Sequence, residues 1–144
     1  MKCGLLGKIL SHSYSPQIHE MLGNYTYQLF EKTPEEVSDF ILNGEYTGLN
    51  VTIPYKKDVI PYCNELSERA AKLGAVNTIV RRKDGTIIGH NTDYFGFGRM
   101  LEYNDIAITG KVAVVLGSGG AARAVIKYLA DKEAAQIYLV TRDV

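Results

Sequence analysis

Lys56 follows the run Asn50-Val51-Thr52-Ile53-Pro54-Tyr55, which places an amide, a hydroxyl and an ammonium close together along the chain. On an extended chain Asn50 and Thr52 emerge on the same face, because strand side chains alternate. A strand over 48–53, ended by Pro54, would hold them rigidly and present Lys56 just past its end, where α/β sheets mount their ligands. Three groups of that kind suit a small, oxygen-rich ligand. Ser11, Ser13 and Ser15 form a second polar cluster, directly before Pro16. Ser15 is expected as N-cap, Pro16 as the first helical residue and Gly23 as the stop. The free N–H groups and positive dipole end of such a helix favour an anion, a carboxylate or a phosphate. Neither cluster decides a function alone, since capping accounts for Ser15 and a lysine after a strand is ordinarily a solvated charge.

A third signal is stronger. Residues 111–116 are a continuous apolar strand, Gly117-Ser118-Gly119-Gly120-Ala121-Ala122 opens a helix running to about residue 131, and 136–141 is a second strand. The pattern G-x-G-x-x-A between a strand and a helix reads as a dinucleotide site. Gly117 permits the tight turn, Gly119 lets a pyrophosphate approach the backbone, and Ala122 keeps the helix close to the strand. The second strand ends in Thr141-Arg142-Asp143, where the adenosine ribose would lie. Arg142 would pair with a 2′-phosphate and argues for NADP, whereas Asp143 would accept from a free 2′-hydroxyl and argues for NAD. The guanidinium, as a specific phosphate device, tilts the reading to NADP.

The remaining elements must position these groups. Residues 1–6 read as a first strand and 24–31 as another. A second helix follows, with Thr33 as cap, Pro34 at the first position, Glu36 completing a capping box, Val37, Phe40 and Ile41 as its apolar stripe, and Gly44 at its end. A helical stretch interrupted by Pro61 comes next, then a short helix over 67–73 closed by Gly74. Residues 75–80 and 87–90 make a hairpin around Asp84-Gly85. Asn91-Thr92-Asp93 leads into a helix over 94–103, for which Asp93 is an adequate N-cap. Residues 104–110 are a polar connection, so the expected domains are 1–103 and 104–144.

Lys plus Arg equal Asp plus Glu at 16 each, without like-charge runs. That argues against nucleic acid and anionic membrane as general partners. Cys3 and Cys63 are isolated thiols without metal-ligand spacing, so no metal site is expected and a reducing cytoplasm fits. The apolar residues 5–10 are too short and interrupted for a secretory signal, and no apolar run approaches membrane length.

Taken in order, Ser13-Tyr14-Ser15-Pro16, Asn50 to Lys56, Gly74-Ala75-Val76-Asn77-Thr78, Asn91-Thr92-Asp93 and Gly117-Ser118-Gly119-Gly120-Ala121 resemble the shikimate dehydrogenase family. The resemblance implies an α/β fold: a substrate domain with a mostly parallel sheet flanked by helices, followed by a partial Rossmann β-α-β unit. It implies reversible, NADP-dependent reduction of 3-dehydroshikimate to shikimate, on the chorismate route to aromatic amino acids, in a cytoplasmic enzyme, with a homodimer as one option. It further implies that Ser13 and Ser15 hold the substrate carboxylate and that Asn50, Thr52, Asn77 and Asp93 bind ring hydroxyls. Lys56 and Asp93 would form the catalytic pair, with Glu68 near the same cleft. The cofactor would lie on Gly117, Ser118, Gly119, Gly120, Ala121, Thr141 and Arg142. Members of the family continue for about another domain's worth of chain, so weak or absent turnover is expected from these 144 residues alone. Two rivals stand beside this reading: a quinate/shikimate dehydrogenase using NAD, and a non-catalytic shikimate-binding fragment.

Overall fold

The computed structural model describes residues 1–142, so Asp143 lies outside the described residues. Two compact units divide the chain, Met1–Asn91 and a second beginning at Thr92.

In the first unit, six strands form one sheet in the order β2-β1-β3-β5-β6-β4. They are β1 (Lys2–Gly7), β2 (Thr26–Glu31), β3 (Gly48–Val51), β4 (Glu65–Leu66), β5 (Thr78–Arg81) and β6 (Ile87–His90). β1 runs parallel to β2 and β3, β4 parallel to β6, and β5 antiparallel to both of its neighbours. Only β5 is therefore reversed, and the sheet is mostly parallel. The consequence for function is geometric: the carboxyl ends of β1, β3 and β6 and the start of β5 meet at one sheet edge. The loop after Gly7, the turn after Val51, and Asn77 and Asn91 all gather there.

Alternation decides which side chains face that edge. Leu49 and Val51 point into a core with Leu6, Val37, Ile41, Tyr46, Tyr55, Val59 and Ile79, leaving Asn50 on the opposite face. Each such buried aliphatic side chain contributes roughly 1.5–3 kcal/mol by leaving water. Helix α2 (Pro34–Asn43) covers the core face with Val37 and Ile41. Its N-terminus is closed as the spacing predicts, the Thr33 N–H donating to the Glu36 carboxylate at 2.8 Å. Helix α3 (Glu68–Leu73) is capped by the Ser67 hydroxyl and ends at Gly74 in the left-handed region.

Several boundaries differ from expectation. Strand β3 stops at Val51, two residues early, because Thr52 already turns: its carbonyl accepts from the Tyr55 N–H at 2.9 Å and Ile53 is exposed. Ser15 is the first residue of α1 (Ser15–Leu22), not its cap; Tyr14 occupies the cap position, and the Ser13 hydroxyl accepts from the Ser15 N–H at 3.2 Å. The stretch around Pro61 makes turns and a single 3-10 turn, Ile60–Tyr62. Strand β5 begins at Thr78 instead of residue 75. The two-residue β4 carries no legible signal at all.

The second unit holds α4 (Asp93–Tyr103), β7 (Val112–Leu116), α5 (Gly120–Asp131) and β8 (Gln136–Val140), with β7 and β8 parallel. Thr92, not Asp93, stands at the cap position of α4. The compact units thus divide one helix earlier than the expected domain break after residue 103. The reason is packing: Tyr94 and Phe97 meet Tyr128 edge-on, and Tyr94 Oη donates to Asp131 at 2.8 Å. Gly98 makes the approach possible, since a Cβ there would lie 2.3 Å from the Tyr128 ring.

Candidate functional site

The serine loop is held in place by its own hydrogen bonds and by the end of β2. Its backbone is pinned at three points: the Leu10 N–H donates to Glu31 Oε1 at 2.6 Å, the Ser13 N–H to the Leu10 carbonyl at 2.9 Å, and Ser15 to Ser13 as above. Leu10 is buried, which anchors the loop to the sheet. Glu31, at the end of β2, is thereby a structural clamp on the loop that carries Ser13 and Ser15.

Between this loop and the end of β3 lies a cleft of about 340 Å³, lined by Ser11, His12, Ser13, Ser15 and Thr52 over a floor of Leu5, Ile9 and Leu10. That volume is at the small end of ligand sites. Two groups 37 residues apart, Ser15 and Thr52, are brought together because β1 and β3 are neighbours, the Thr52 N–H donating to the Leu6 carbonyl at 2.9 Å. The start of α1 lies on the same side and brings its positive dipole end, although the Ser15 N–H is taken by Ser13, Pro16 has none and the Ile18 N–H donates to the Tyr14 carbonyl. The cleft is therefore suited to a carboxylate at its serine end and to hydroxyls at Thr52.

The other expected ligands follow from the sheet register. Leu5, Asn50, Thr78 and His90 are successive partners across four strands, so they share a face. Asn50 Oδ1 accepts from the Tyr27 phenol at 2.8 Å. Asn77 is buried and bridges three elements: its N–H donates to the His90 carbonyl at 3.0 Å, its carbonyl accepts from Val51 at 2.8 Å, and its Oδ1 accepts from Thr78 Oγ1 at 3.0 Å. Lys56 is half-buried, and its carbonyl accepts from the Val76 N–H at 2.7 Å, which ties it beside Asn77. Asn91 is buried, donates to the Ala75 carbonyl at 3.0 Å, and its Oδ1 finds no partner among the described residues.

Ser13, Ser15 and Thr52 thus share one cleft, and Lys56 and Asn77 share one backbone junction. Asp93 opens α4 in the second unit. Glu68 is exposed and pairs with Lys72 on α3. His12 and Tyr27 escaped the sequence reading. His12 stands among the loop serines and could have been noticed; the reach of Tyr27 depends on β2 lying beside β1, which no spacing encodes.

In the second unit the glycine turn has the form expected of a phosphate cradle. Gly117 has φ +94°, a conformation that side chains other than hydrogen resist. A Cβ at Gly119 would meet nothing within 4 Å, so the turn is open to an incoming group. Gly117, Ser118, Gly119, Thr141 and Arg142 line a hollow of about 490 Å³, with Ser118 Oγ 3.3 Å from Thr141 Oγ1. Gly120 and Ala121 are the first residues of α5, whose N–H groups open on this turn. These residues fit a pyrophosphate against the α5 N-terminus, with a guanidinium at the far strand end. Among the described residues there is no group of three or more His, Cys, Asp or Glu able to hold a metal, and no helix long and apolar enough to cross a membrane.

The chain is similar to known proteins along nearly its whole length. The family described as "Shikimate dehydrogenase substrate binding domain" matches residues 5–79. The "Shikimate dehydrogenase (NADP(+))" of Clostridium beijerinckii is 48% identical over 149 residues, covering 98% of this chain and 55% of that protein. The crystal structure of shikimate dehydrogenase 1 from Peptoclostridium difficile superposes with a TM-score of 0.93 at 40% identity, over 99% of this chain and 57% of that one. A quinate dehydrogenase from Corynebacterium glutamicum, solved in complex with NAD, gives a TM-score of 0.84 at 32% identity, over 99% and 55%. The chain spans about half the length of the curated relatives it matches.

Proposed function

Because the chain belongs to the shikimate dehydrogenase family, we propose that it contributes the substrate site, and the first turn of the cofactor site, for reversible reduction of 3-dehydroshikimate to shikimate. The observation that carries this is the cleft shared by Ser13, Ser15 and Thr52 at the sheet edge where Asn50, Asn77 and Lys56 also lie. On this reading residues 1–103 grip the substrate and 104–144 begin the dinucleotide site.

The substrate carboxylate sits at Ser13 and Ser15, where two hydroxyls and the N-terminus of α1 offset its charge. Asn50, Thr52, Asn77 and Asp93 take the ring hydroxyls. With the ring held at both ends, its ketone oxygen faces Lys56. NADP, held by Gly117, Ser118, Gly119, Gly120, Ala121, Thr141 and Arg142, supplies the hydride in its reduced form when bound. As negative charge builds on the ketone oxygen, the Lys56 ammonium stabilises it and transfers a proton to it; in the reverse direction the free amine accepts that proton. Asp93 keeps substrate and amine aligned.

The test is turnover. With the complete cofactor domain present, Lys56→Ala should lower kcat by about 10²–10⁴-fold with little change in KM, as for a group acting in proton transfer. Equal turnover in the variant removes Lys56 from the role. Quinate with NAD is the second reading, favoured by the quinate dehydrogenase neighbour and by Asp143 beside Arg142. A comparison of kcat/KM for shikimate with NADP and quinate with NAD separates them. A non-catalytic binding fragment would bind shikimate in calorimetry and leave NADP absorbance unchanged.

A further inference from the structure

Tyr27 projects from β2 and yet reaches Asn50 on β3, with β1 between the two strands. It can cross because the intervening positions are small: Tyr27 is paired with Cys3, and Cys3 with Gly48. The His19 ring of α1 stacks on the Tyr27 ring, centroids 3.7 Å apart and planes 11° from parallel. His19 Nδ1 is in turn 2.6 Å from the Tyr25 hydroxyl, which holds the imidazole in place. One side chain therefore joins α1, through the stacked His19, to the amide on β3.

The donors set a direction. A carboxamide oxygen can only accept, so the phenolic proton is committed to Asn50. The group that Asn50 then offers a ligand is its NH2. Burial pushes the Tyr27 hydroxyl up to about 12, so the phenol stays a donor through the neutral range.

We propose that Tyr27, clamped by His19, is a positioning residue that fixes the Asn50 amide with its NH2 toward a hydroxyl oxygen of the bound ring; the ligand named here rests on the shikimate reading above. Tyr27→Phe keeps the stacked ring and deletes only the hydroxyl. Calorimetry of shikimate against the 144-residue chain should show about three- to tenfold weaker binding in this variant, the loss expected of one neutral hydrogen bond. In an Asn50→Ala background the same change should cost nothing further. Unchanged affinity in Tyr27→Phe, or an equal loss in both backgrounds, overturns the proposal. A ligand-free readout separates it from the functional reading: the side-chain ¹⁵N amide signal of Asn50 should shift in Tyr27→Phe while those of Asn43 and Asn104 stay. An Asn50 signal that does not respond overturns the tie. If it responds and the parent chain binds no shikimate, the tie between Tyr27 and Asn50 stands and the substrate assignment falls.

Discussion

Ser13 carries two duties at once. Its hydroxyl accepts from the Ser15 N–H, where it stabilises the first turn of α1, and it lines the cleft where a carboxylate would sit. Ser13→Ala should therefore weaken shikimate binding about tenfold or more, through loss of a bond to a charged group, and also lower stability by about 1 kcal/mol through loss of its hydrogen bond with the Ser15 N–H. Titration calorimetry and urea denaturation on the same variant check both; intact affinity would move the carboxylate elsewhere. Tyr27 and Cys63 make a pH prediction. Burial raises Tyr27 from 10.0 to about 12 and Cys63 from 9.0 to about 11. Each group holds its proton more tightly folded than unfolded, so each contributes stability fully present below its ordinary value and lost as pH rises through the folded one. From neutral pH, stability should be level up to about pH 9 and fall between there and about pH 12, and Cys63→Ala with Tyr27→Phe should flatten the fall. A denaturation midpoint that stays constant across that window in the parent chain would contradict it.

Elements, more than residues, decide what could be read in advance. The capping box of α2 and the strand-glycine-helix turn after β7 are local devices, complete within a few residues, and both stand where their spacing placed them. The start of α1 lies one position earlier than the Ser15-Pro16 spacing suggests, because Ser15 is already helical, Tyr14 takes the cap position and the Ser15 N–H turns to the Ser13 hydroxyl. The end of β3 was overextended because Ile53 continues the alternation in sequence while Thr52 has already turned. Gly98 shows the same limit. In sequence it is a weakness in a helix, and in the fold it is the point where α4 meets the Tyr128 ring. Gly98→Ala should destabilise the second unit by about 1–3 kcal/mol through overpacking, whereas Gly96→Ala, with open space around it, should be neutral or stabilising. Thermal denaturation of the two variants distinguishes packing from propensity, and equal behaviour would refute the steric account.

For the molecule as a whole, the order of motifs along the chain was legible but their meeting place was not. Ser13 and Thr52 share one cleft, and Asn77 lies at the same end of the sheet, because β1, β3 and β5 are neighbours and β5 alone is reversed, a fact of topology that no single stretch encodes. The division into units likewise depends on which partner α4 finds, and it finds α5. The account rests on one claim, that the sheet edge of the first unit grips a small carboxylated polyol. Backbone amide shifts of the 144-residue chain, followed during a titration with shikimate, test it most directly. Saturable changes at Ser13, Ser15, Asn50, Thr52, Lys56 and Asn77 are the predicted result; a titration in which those amides stay still, or in which changes centre on another surface, would contradict it.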